Sequence, residues 1–283
     1  MKEIFLDELK KIELTILEEI DKICREQNIR YSLCGGTMLG AIRHGGFIPW
    51  DDDIDICMPR PDYNRFVEYC SKNATTFALL CNKTDSRYGY LFAKAMAKNT
   101  VIKEENNNPK NIDMGVYVDV FPIDGLADTP KDAEKAFGKS RFKRELLVAC
   151  NWKKFFRSKT RKWYYEPIRF AFFILSRFAN PSSLISSIEK TYPEELFEKK
   201  KYSAIICGSY RSKEIVEREV YTEYTDITFE GKTFMAIKNY DKYLKNIYGD
   251  YMKLPTLFPF WFPQCVCPAV GLLDHKAVLF PVF

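Results

Sequence analysis

Apolar positions recur along this chain with two different periods, and together they predict an α/β fold. Residues 3–27 carry an apolar stripe at spacings of three and four, with charged residues on the other faces, as in an amphipathic helix. Short apolar or alternating runs predict strands. We expect strands at residues 31–34, 53–58, 77–81, 90–98 and 115–121, the last ended by Pro122, and helices at 38–43, 62–72 and 239–251.

The composition changes near residue 130, where helix-forming residues begin to dominate. Residues 139–162 hold ten Lys and Arg but one acid, Glu145, and an aromatic and aliphatic segment follows at 163–178. We therefore predict four parts: a catalytic core at residues 1–130, a helical, basic and aromatic insert at 131–200, a return to the core at 201–255, and an atypical apolar tail at 256–283.

The overall composition is that of a globular protein, with 46% hydrophobic and 29% charged residues among 283. A net charge of +5 is too small to indicate a nucleic acid partner, and we predict none. The sequence has no signal-peptide pattern and no run of about 18 apolar residues. Nine scattered cysteines without zinc-binding spacing indicate reduced thiols, so we expect a cytoplasmic protein.

The run PWDDDIDI at residues 49–56 places two carboxylates on one face of a strand. Because side chains alternate along a strand, Ile54 and Ile56 face a core while Asp53 and Asp55 lie side by side on the opposite face. Two carboxylates about 5 Å apart repel by roughly 3 kcal/mol at an effective dielectric constant of about 20. A divalent cation between them reverses the sign of that interaction, so the pattern indicates a metal site.

A second strand repeats this pattern around Asp119. In residues 116–121 the valines share one face, and Asp119 lies on the other between apolar neighbours. A carboxylate in that position is buried at a cost unless it binds something. Three carboxylates suit Mg²⁺, which also takes ligands from substrate phosphates. We predict that Asp53, Asp55 and Asp119 bind Mg²⁺, with Mn²⁺ as the alternative ion.

Gly35, Gly36 and Thr37 stand where the first strand turns into a helix. Glycines let the backbone approach a phosphate closely, and a helix N-terminus offers unpaired N–H groups to it. Taken alone, the three residues also fit an ordinary tight turn. Followed by the two acidic strands, they predict a binding site for a diphosphate.

At these residues the chain resembles the LicD family of phosphocholine transferases, which is related to fukutin-type enzymes and to polymerase-β-like nucleotidyltransferases. The resemblance is carried by YSLCGGTMLGAIRHGGFIPWDDDIDI at residues 31–56 and VDVFPIDG at 118–125, with shorter matches at 239–244 and 248–255. It covers roughly residues 10–130 and 220–255. It implies a nucleotidyltransferase-like α/β fold, with a mixed, twisted sheet flanked by helices and carrying a helical insert.

The resemblance also implies a reaction, the transfer of phosphocholine or a similar phospho-alcohol from a CDP-choline-like donor to a hydroxyl of a cell-surface glycan. The glycan would be lipopolysaccharide, teichoic acid or capsule. Matched by position, Asp53 and Asp55 would hold Mg²⁺, and Asp119 would be the third carboxylate and accept the proton of the sugar hydroxyl. Two alternatives stay open: a nucleotidyltransferase acting on a small alcohol or antibiotic, and a catalytically dead glycan- or lipid-binding protein.

Five further residues have interpretations that depend on this site. Arg43 offers a planar cation for phosphate oxygens. His44 is either an acid–base group or a histidine at the surface or behind the site. Trp50 either contacts the cytosine ring or the choline ammonium, or it anchors packing. Lys94 either points from its strand into the cleft or is solvated, and Asp124 either caps a turn or touches the site.

Two segments fit the resemblance less closely. The basic insert is either a solvated helical hairpin or a surface that contacts an anionic membrane, at its inner face. After residue 255 the chain lacks the charged segment usual in the family and reads TLFPFWFP. We therefore expect an altered C-terminus that has lost a contact near the nucleotide.

Overall fold

The computed structural model describes residues 2–3, 5–103, 107, 110, 112–158, 162–254 and 276–279, so most of the predicted tail lies outside the described residues. The described α-helices are α1 (Leu6–Glu26), α2 (Gly35–His44), α3 (Arg60–Lys72), α4 (Pro130–Lys139), α5 (Arg141–Cys150), α6 (Glu166–Ser176), α7 (Pro181–Glu189), α8 (Glu195–Lys199) and α9 (Tyr240–Tyr248). Three 3-10 helices span Trp163–Tyr165, Arg211–Glu214 and Arg218–Tyr221. The strands are β1 (Lys2–Glu3), β2 (Ser32–Leu33), β3 (Ile54–Pro59), β4 (Phe77–Leu80), β5 (Ala93–Ala97), β6 (Thr100–Lys103), β7 (Tyr117–Ala127), β8 (Tyr202–Ala204), β9 (Val216–Glu217), β10 (Tyr224–Phe229), β11 (Lys232–Ile237) and β12 (Lys276–Leu279).

The central sheet is mixed, which confirms the predicted α/β class. Its strand order is β2–β3–β7–β5–β4, with β3 and β7 parallel and the other neighbours antiparallel. The far end of β7 pairs with β8, which in turn pairs with β9. Two smaller sheets are formed by β10 with β11 and by β1, β12 and β6. The long strand β7 thus holds the sheet together by pairing with three others.

The apolar stripe of α1 faces the main core, as its spacing predicted. Ile16, Ile20 and Ile23 are buried on this helix, and α1 packs against β3, β5, β7 and β11. Full burial of an aliphatic side chain contributes roughly 1.5–3 kcal/mol. This stripe therefore fixes α1 across the sheet.

Helices α4, α5 and α7 surround a second apolar cluster beside the ends of β7 and β8. Its buried members are Leu91, Leu126, Ala133, Phe137, Leu147, Ile185, Ile188, Tyr192, Ala204 and Ile206. The helices expected after residue 130 are therefore present, and they pack around an apolar cluster that is separate from the core of the central sheet. The predicted boundaries of the insert, 131 and 200, stay a prediction.

The prediction that Pro122 ends its strand is wrong, because β7 continues to Ala127. β7 pairs with β5 as far as Val120 and with β8 from Asp124 onward. Pro122 lies between these two pairings, and proline is tolerated at irregular positions of a sheet.

The interpretation of Asp124 as a turn cap is wrong for the same reason. Asp124 lies inside β7 and is buried, where both of its carboxylate oxygens accept hydrogen bonds from the Arg60 guanidinium at 2.6 and 2.8 Å. Arg60 is also buried, at the start of α3. The pair joins α3 to the sheet, and its bidentate geometry satisfies charges that would otherwise be costly to bury.

Within the part of the chain that the structure describes, no helix is long and apolar enough to cross a bilayer.

Replacing Asp124 with Asn should destabilise the fold by about 3–5 kcal/mol, since the buried Arg60 charge loses its bidentate partner and keeps only a 3.6 Å ion pair with the more exposed Glu189. The measurement is the free energy of unfolding from urea denaturation. The control is Glu68→Gln, which breaks an exposed pair with Lys72 and should cost less than about 1 kcal/mol. Equal losses in the two variants would contradict a structural role for the buried pair.

Candidate active site

Three acidic residues from two neighbouring strands line one cleft. Asp55 in β3 stands directly opposite Asp119 in β7 in the parallel pairing of these strands, and Asp53 immediately precedes β3. All three line a cleft with about 530 Å³ of empty space, part of it open to solvent. The structure therefore brings the predicted trio to a single surface of the sheet.

The opposite faces of these strands are apolar, as the alternation predicted. Ile54 and Ile56 of β3 and Val118 and Val120 of β7 are completely buried in the main core. Core packing on this side fixes the strand register. Because side chains alternate, the same register turns the carboxylates to the cleft side.

The acids of the cleft strongly disfavour each other's ionised form. Burial raises the pKa of Asp55, and the nearby charges of Asp53 and Asp119 raise it further. Burial likewise raises the pKa of Asp53, with added effects from Asp51 and Asp52. Such a concentration of carboxylates is stabilised by a bound cation, whose charge reverses the local electrostatics.

Lys94 supplies one positive charge beside this cluster. Lys94 is opposite Asp119 in the antiparallel pairing of β5 with β7, and its Nζ donates a hydrogen bond to Asp119 Oδ1 at 2.7 Å. The two side chains are only 3% and 2% exposed, and the ammonium also lies 3.3 Å from the centroid of the Tyr117 ring. The alternative that Lys94 is solvated is therefore wrong, and its predicted contact with substrate stays a prediction.

Three consecutive acids form a second, tighter group of carboxylate oxygens. Among the described residues, one group of three acids has oxygens that all lie within 4.8 Å of one another, and it consists of Asp51, Asp52 and Asp53. The oxygens of Asp53, Asp55 and Asp119 are spread more widely than that. Both sets are oxygen donors of the kind that Mg²⁺ and Mn²⁺ accept, and Asp53 belongs to both.

The glycine pair brings the start of α2 against the acids. The predicted helix at residues 38–43 begins earlier, at Gly35, which lines the cleft with φ +55°. A Cβ on Gly35 would lie 3.2 Å from Asp55 Oδ2, and one on Gly36 would lie 2.6 Å from Asp51 Oδ2. Only glycine fits so close to these carboxylates.

Thr37 is buried and has a structural contact. Its hydroxyl accepts a hydrogen bond from the Asp55 N–H at 2.8 Å, which fastens α2 to the start of β3. The Gly35 N–H donates to the Tyr243 hydroxyl at 3.1 Å, so α9 also supports this turn. Diphosphate binding by Gly35, Gly36 and Thr37 stays a prediction.

Arg43, His44 and Trp50 do not line the acid cleft in the described structure. Arg43 donates a hydrogen bond to the Tyr251 carbonyl at 3.1 Å, and His44 is the last residue of α2. Partial burial lowers the pKa of His44, and the neighbouring Arg43 charge lowers it further. Trp50 is 43% exposed, and both of its interpretations stay predictions.

The far wall of the cleft comes from residues for which the sequence predicted no role. Ile205, residues 207–210 and Glu214 lie there, together with Tyr243 from α9, while Phe92 and Phe121 line the cleft from the sheet side. Residues 205–214 lie outside every motif that carries the family resemblance. Glu214 in particular follows no periodic pattern, and no signal in the sequence distinguishes it from surface glutamates.

Comparisons with known proteins bear on this site. A family profile described as the LicD/FKTN/FKRP nucleotidyltransferase domain matches residues 28–148. Lipopolysaccharide cholinephosphotransferase LicD of Haemophilus influenzae is 30% identical over 258 residues, which cover 90% of this chain and 94% of that protein. The chain belongs to the LicD family. Ribitol 5-phosphate transferase FKRP of Mus musculus is 32% identical over 97 residues, or 34% of this chain and 17% of that protein.

Membership of the LicD family confirms the resemblance inferred from residues 31–56. The region matched by the LicD/FKTN/FKRP profile contains Asp53, Asp55, Asp119 and Lys94, and it stops before Glu214. The acid-bearing strands therefore lie in the region that defines the family. The far wall of the cleft lies outside it.

Replacing Lys94 with Met should destabilise the protein by about 3–5 kcal/mol, because Asp119 then keeps a buried charge without its ammonium partner. Urea denaturation in a chelating buffer measures the change. Lys98→Met is the control, since Lys98 follows the same strand but is exposed, and it should change stability by about 0.5 kcal/mol or less. If Lys94→Met lowers the free energy of unfolding as little as Lys98→Met does, the ion pair between Lys94 and Asp119 does not stabilise the site.

Proposed function

We propose that this chain transfers phosphocholine, or a similar phospho-alcohol, from a CDP-linked donor to a hydroxyl of a cell-surface glycan. One observation carries the proposal: Asp55 and Asp119 face each other across parallel strands in a cleft, in a chain similar over 90% of its length to a lipopolysaccharide cholinephosphotransferase. Phosphoryl-type transfer depends mainly on positioning and on neutralising negative charge.

A divalent cation is part of this proposal, with Mg²⁺ first and Mn²⁺ as the alternative. Asp53, Asp55 and Asp119 would hold it, because their oxygen donors suit such an ion and because burial and neighbouring charges raise the pKa values of Asp53 and Asp55. When bound, such an ion supplies neutralisation of the donor phosphates and alignment of attacking and leaving oxygens.

The chain's own residues have distinct tasks in the proposed reaction. The N-terminus of α2, which Gly35 and Gly36 bring close to the acids, binds the diphosphate through N–H groups beyond that of Gly35, which donates to Tyr243. Asp119 accepts the proton of the attacking hydroxyl. Lys94 keeps Asp119 oriented through its 2.7 Å hydrogen bond.

Two other functions remain as competitors. Nucleotidyl transfer to a small alcohol or antibiotic would use the same acids but release pyrophosphate from a nucleoside triphosphate. A catalytically dead binding protein would not need the opposed pair Asp55 and Asp119, whose mutual repulsion has to be offset. Similarity to a ribitol 5-phosphate transferase keeps ribitol among the candidate alcohols.

The protein incubated with CDP-choline, Mg²⁺ and candidate glycans should release CMP and transfer the phospho-alcohol. Asp53→Asn should lower the rate by about 100-fold or more, since it removes a carboxylate from the proposed metal site. Asp113→Asn, at an exposed position, is the matched control and should leave the rate unchanged.

The outcomes separate the candidate functions. CMP release from CDP-ethanolamine or CDP-ribitol alone would keep the reaction and change the alcohol. Pyrophosphate release from CTP without transfer from any CDP-alcohol would establish the first competitor. Absence of turnover with every donor, or full activity of Asp53→Asn, would overturn the proposal.

We also infer peripheral contact with an anionic membrane, at its cytoplasmic face. Exposed apolar side chains cluster around α6, with Trp163 exposed by 75% and Phe178 by 87%. The basic–aromatic surface comprises Trp163, Tyr164, Tyr165, Ile168, Phe170, Ile174, Leu175 and Phe178, with exposed Lys153, Lys154, Arg157, Lys162 and Arg177 nearby in the chain. Aromatic and aliphatic groups beside cations suit a lipid interface, and they disfavour the alternative of a solvated hairpin.

The seven described cysteines are unpaired, which supports a reducing compartment.

The protein should float with vesicles that contain phosphatidylglycerol at low salt and dissociate at high salt, because the attraction to anionic lipid is screened. The double variant Trp163→Ser with Phe178→Ser should weaken flotation severalfold. Phe5→Ser removes an aromatic side chain that is 74% exposed elsewhere and should have no effect. Failure of the wild-type protein to float at low salt would remove the membrane inference.

A further inference from the structure

Glu214 is a buried carboxylate without a counterion in the described structure. It ends the 3-10 helix Arg211–Glu214, is 3% exposed, and lines the cleft that contains the acid trio. Its Oε1 accepts a hydrogen bond from the Tyr210 N–H at 3.3 Å, while Oε2 has no hydrogen-bond partner. A buried carboxylate oxygen in this state usually implies a missing ligand or a functional role.

Aromatic rings line the same cleft as Glu214. Phe92 and Phe121 pack with ring centroids 4.6 Å apart, and Tyr210 and Tyr243 contribute to the wall that contains Glu214. The Tyr210 ring is held in place by an edge contact with Tyr248 at 5.1 Å. Rings fixed in this way give the cleft an aromatic lining.

Negative charges predominate among the described residues that line the cleft. Its lining in the described structure includes the carboxylates of Asp53, Asp55, Asp119 and Glu214, and it includes no lysine or arginine. Burial raises the pKa of Glu214 to about 8, which expresses the cost of ionising it without a partner. In the proposed function Asp53, Asp55 and Asp119 bind one metal cation. The carboxylate of Glu214 is left without a positive partner and is therefore available to a second positive charge.

We propose that Glu214 and the aromatic wall bind the positively charged head group of the donor's alcohol, a quaternary ammonium such as that of choline. The inference rests on the proposed function and names the part of the site that selects the alcohol. A quaternary ammonium has no N–H to donate, so it is held by charge and by aromatic faces, which are the two features present here.

Other ligands fit this end of the cleft less well. A phosphate would be repelled by the carboxylate of Glu214, which is not among the residues assigned to the metal ion. A polyol such as ribitol requires several hydrogen-bonding partners, whereas the wall is largely aromatic and apolar, with Ile205 and Cys207 beside the rings. A second metal ion would need further ligands, and Glu214 belongs to no group of three metal-binding side chains among the described residues.

The test is Glu214→Gln, a nearly isosteric change whose amide oxygen still accepts from the Tyr210 N–H. The expected result is a KM for CDP-choline raised about tenfold, with kcat nearly unchanged, because a desolvated cation contact of about 1.4 kcal/mol corresponds to a factor of ten. With CDP-glycerol, whose alcohol is neutral, kcat/KM should change less than about twofold. Glu219→Gln, on an exposed glutamate five residues away, should alter neither donor.

Direct binding of choline separates this inference from the proposed function. Wild-type protein should bind free choline in calorimetry, and Glu214→Gln should bind it about tenfold more weakly. If the wild type turns over no CDP-alcohol yet binds choline in this way, the proposed function fails and the ammonium site stands. Equal losses with CDP-choline and CDP-glycerol, or choline binding unaffected by Glu214→Gln, would overturn the ammonium site.

Discussion

The parallel pairing of β3 with β7 is the constraint on which the site depends. It sets Asp55 directly opposite Asp119, and the buried aliphatic residues on the reverse faces of both strands hold that register. A slip of one residue would exchange the two faces and bury the acids in the main core. The free energy that keeps two repelling carboxylates together therefore comes from apolar packing on the other side of the sheet.

A second consequence of this pairing is electrostatic. The sheet also places Lys94 opposite Asp119, so one of the acids is balanced by a buried ammonium. Burial raises the pKa values of Asp53 and Asp55, and the charges of neighbouring carboxylates raise them further. The strands thus determine where the acids lie and leave them with too few positive charges nearby. This imbalance favours the binding of a cation over a cluster of fully ionised carboxylates without one.

The sequence predicted those parts of the molecule that depend on local periodicity. Alternation placed Ile54 and Asp55 on opposite faces of a strand, and the spacing of apolar residues located α1. It failed where the outcome depends on distant partners. Pro122 is accommodated because β7 changes neighbours there, and Asp124 is buried because Arg60 reaches it from α3, 64 residues earlier. Glu214 could not be predicted either, because its role depends on which cleft its side chain lines.

The two walls of the cleft have different origins in the chain. The acid wall comes from strands inside residues 28–148, which the family profile matches, while the wall with Glu214 comes from the later segment 205–214. Handling of a diphosphate requires the same charges whichever alcohol is transferred, whereas recognition of the alcohol requires complementarity to one particular head group. When separate segments perform these two tasks, substitutions in the later segment can change which alcohol is transferred. The register of β3 and β7 stays intact.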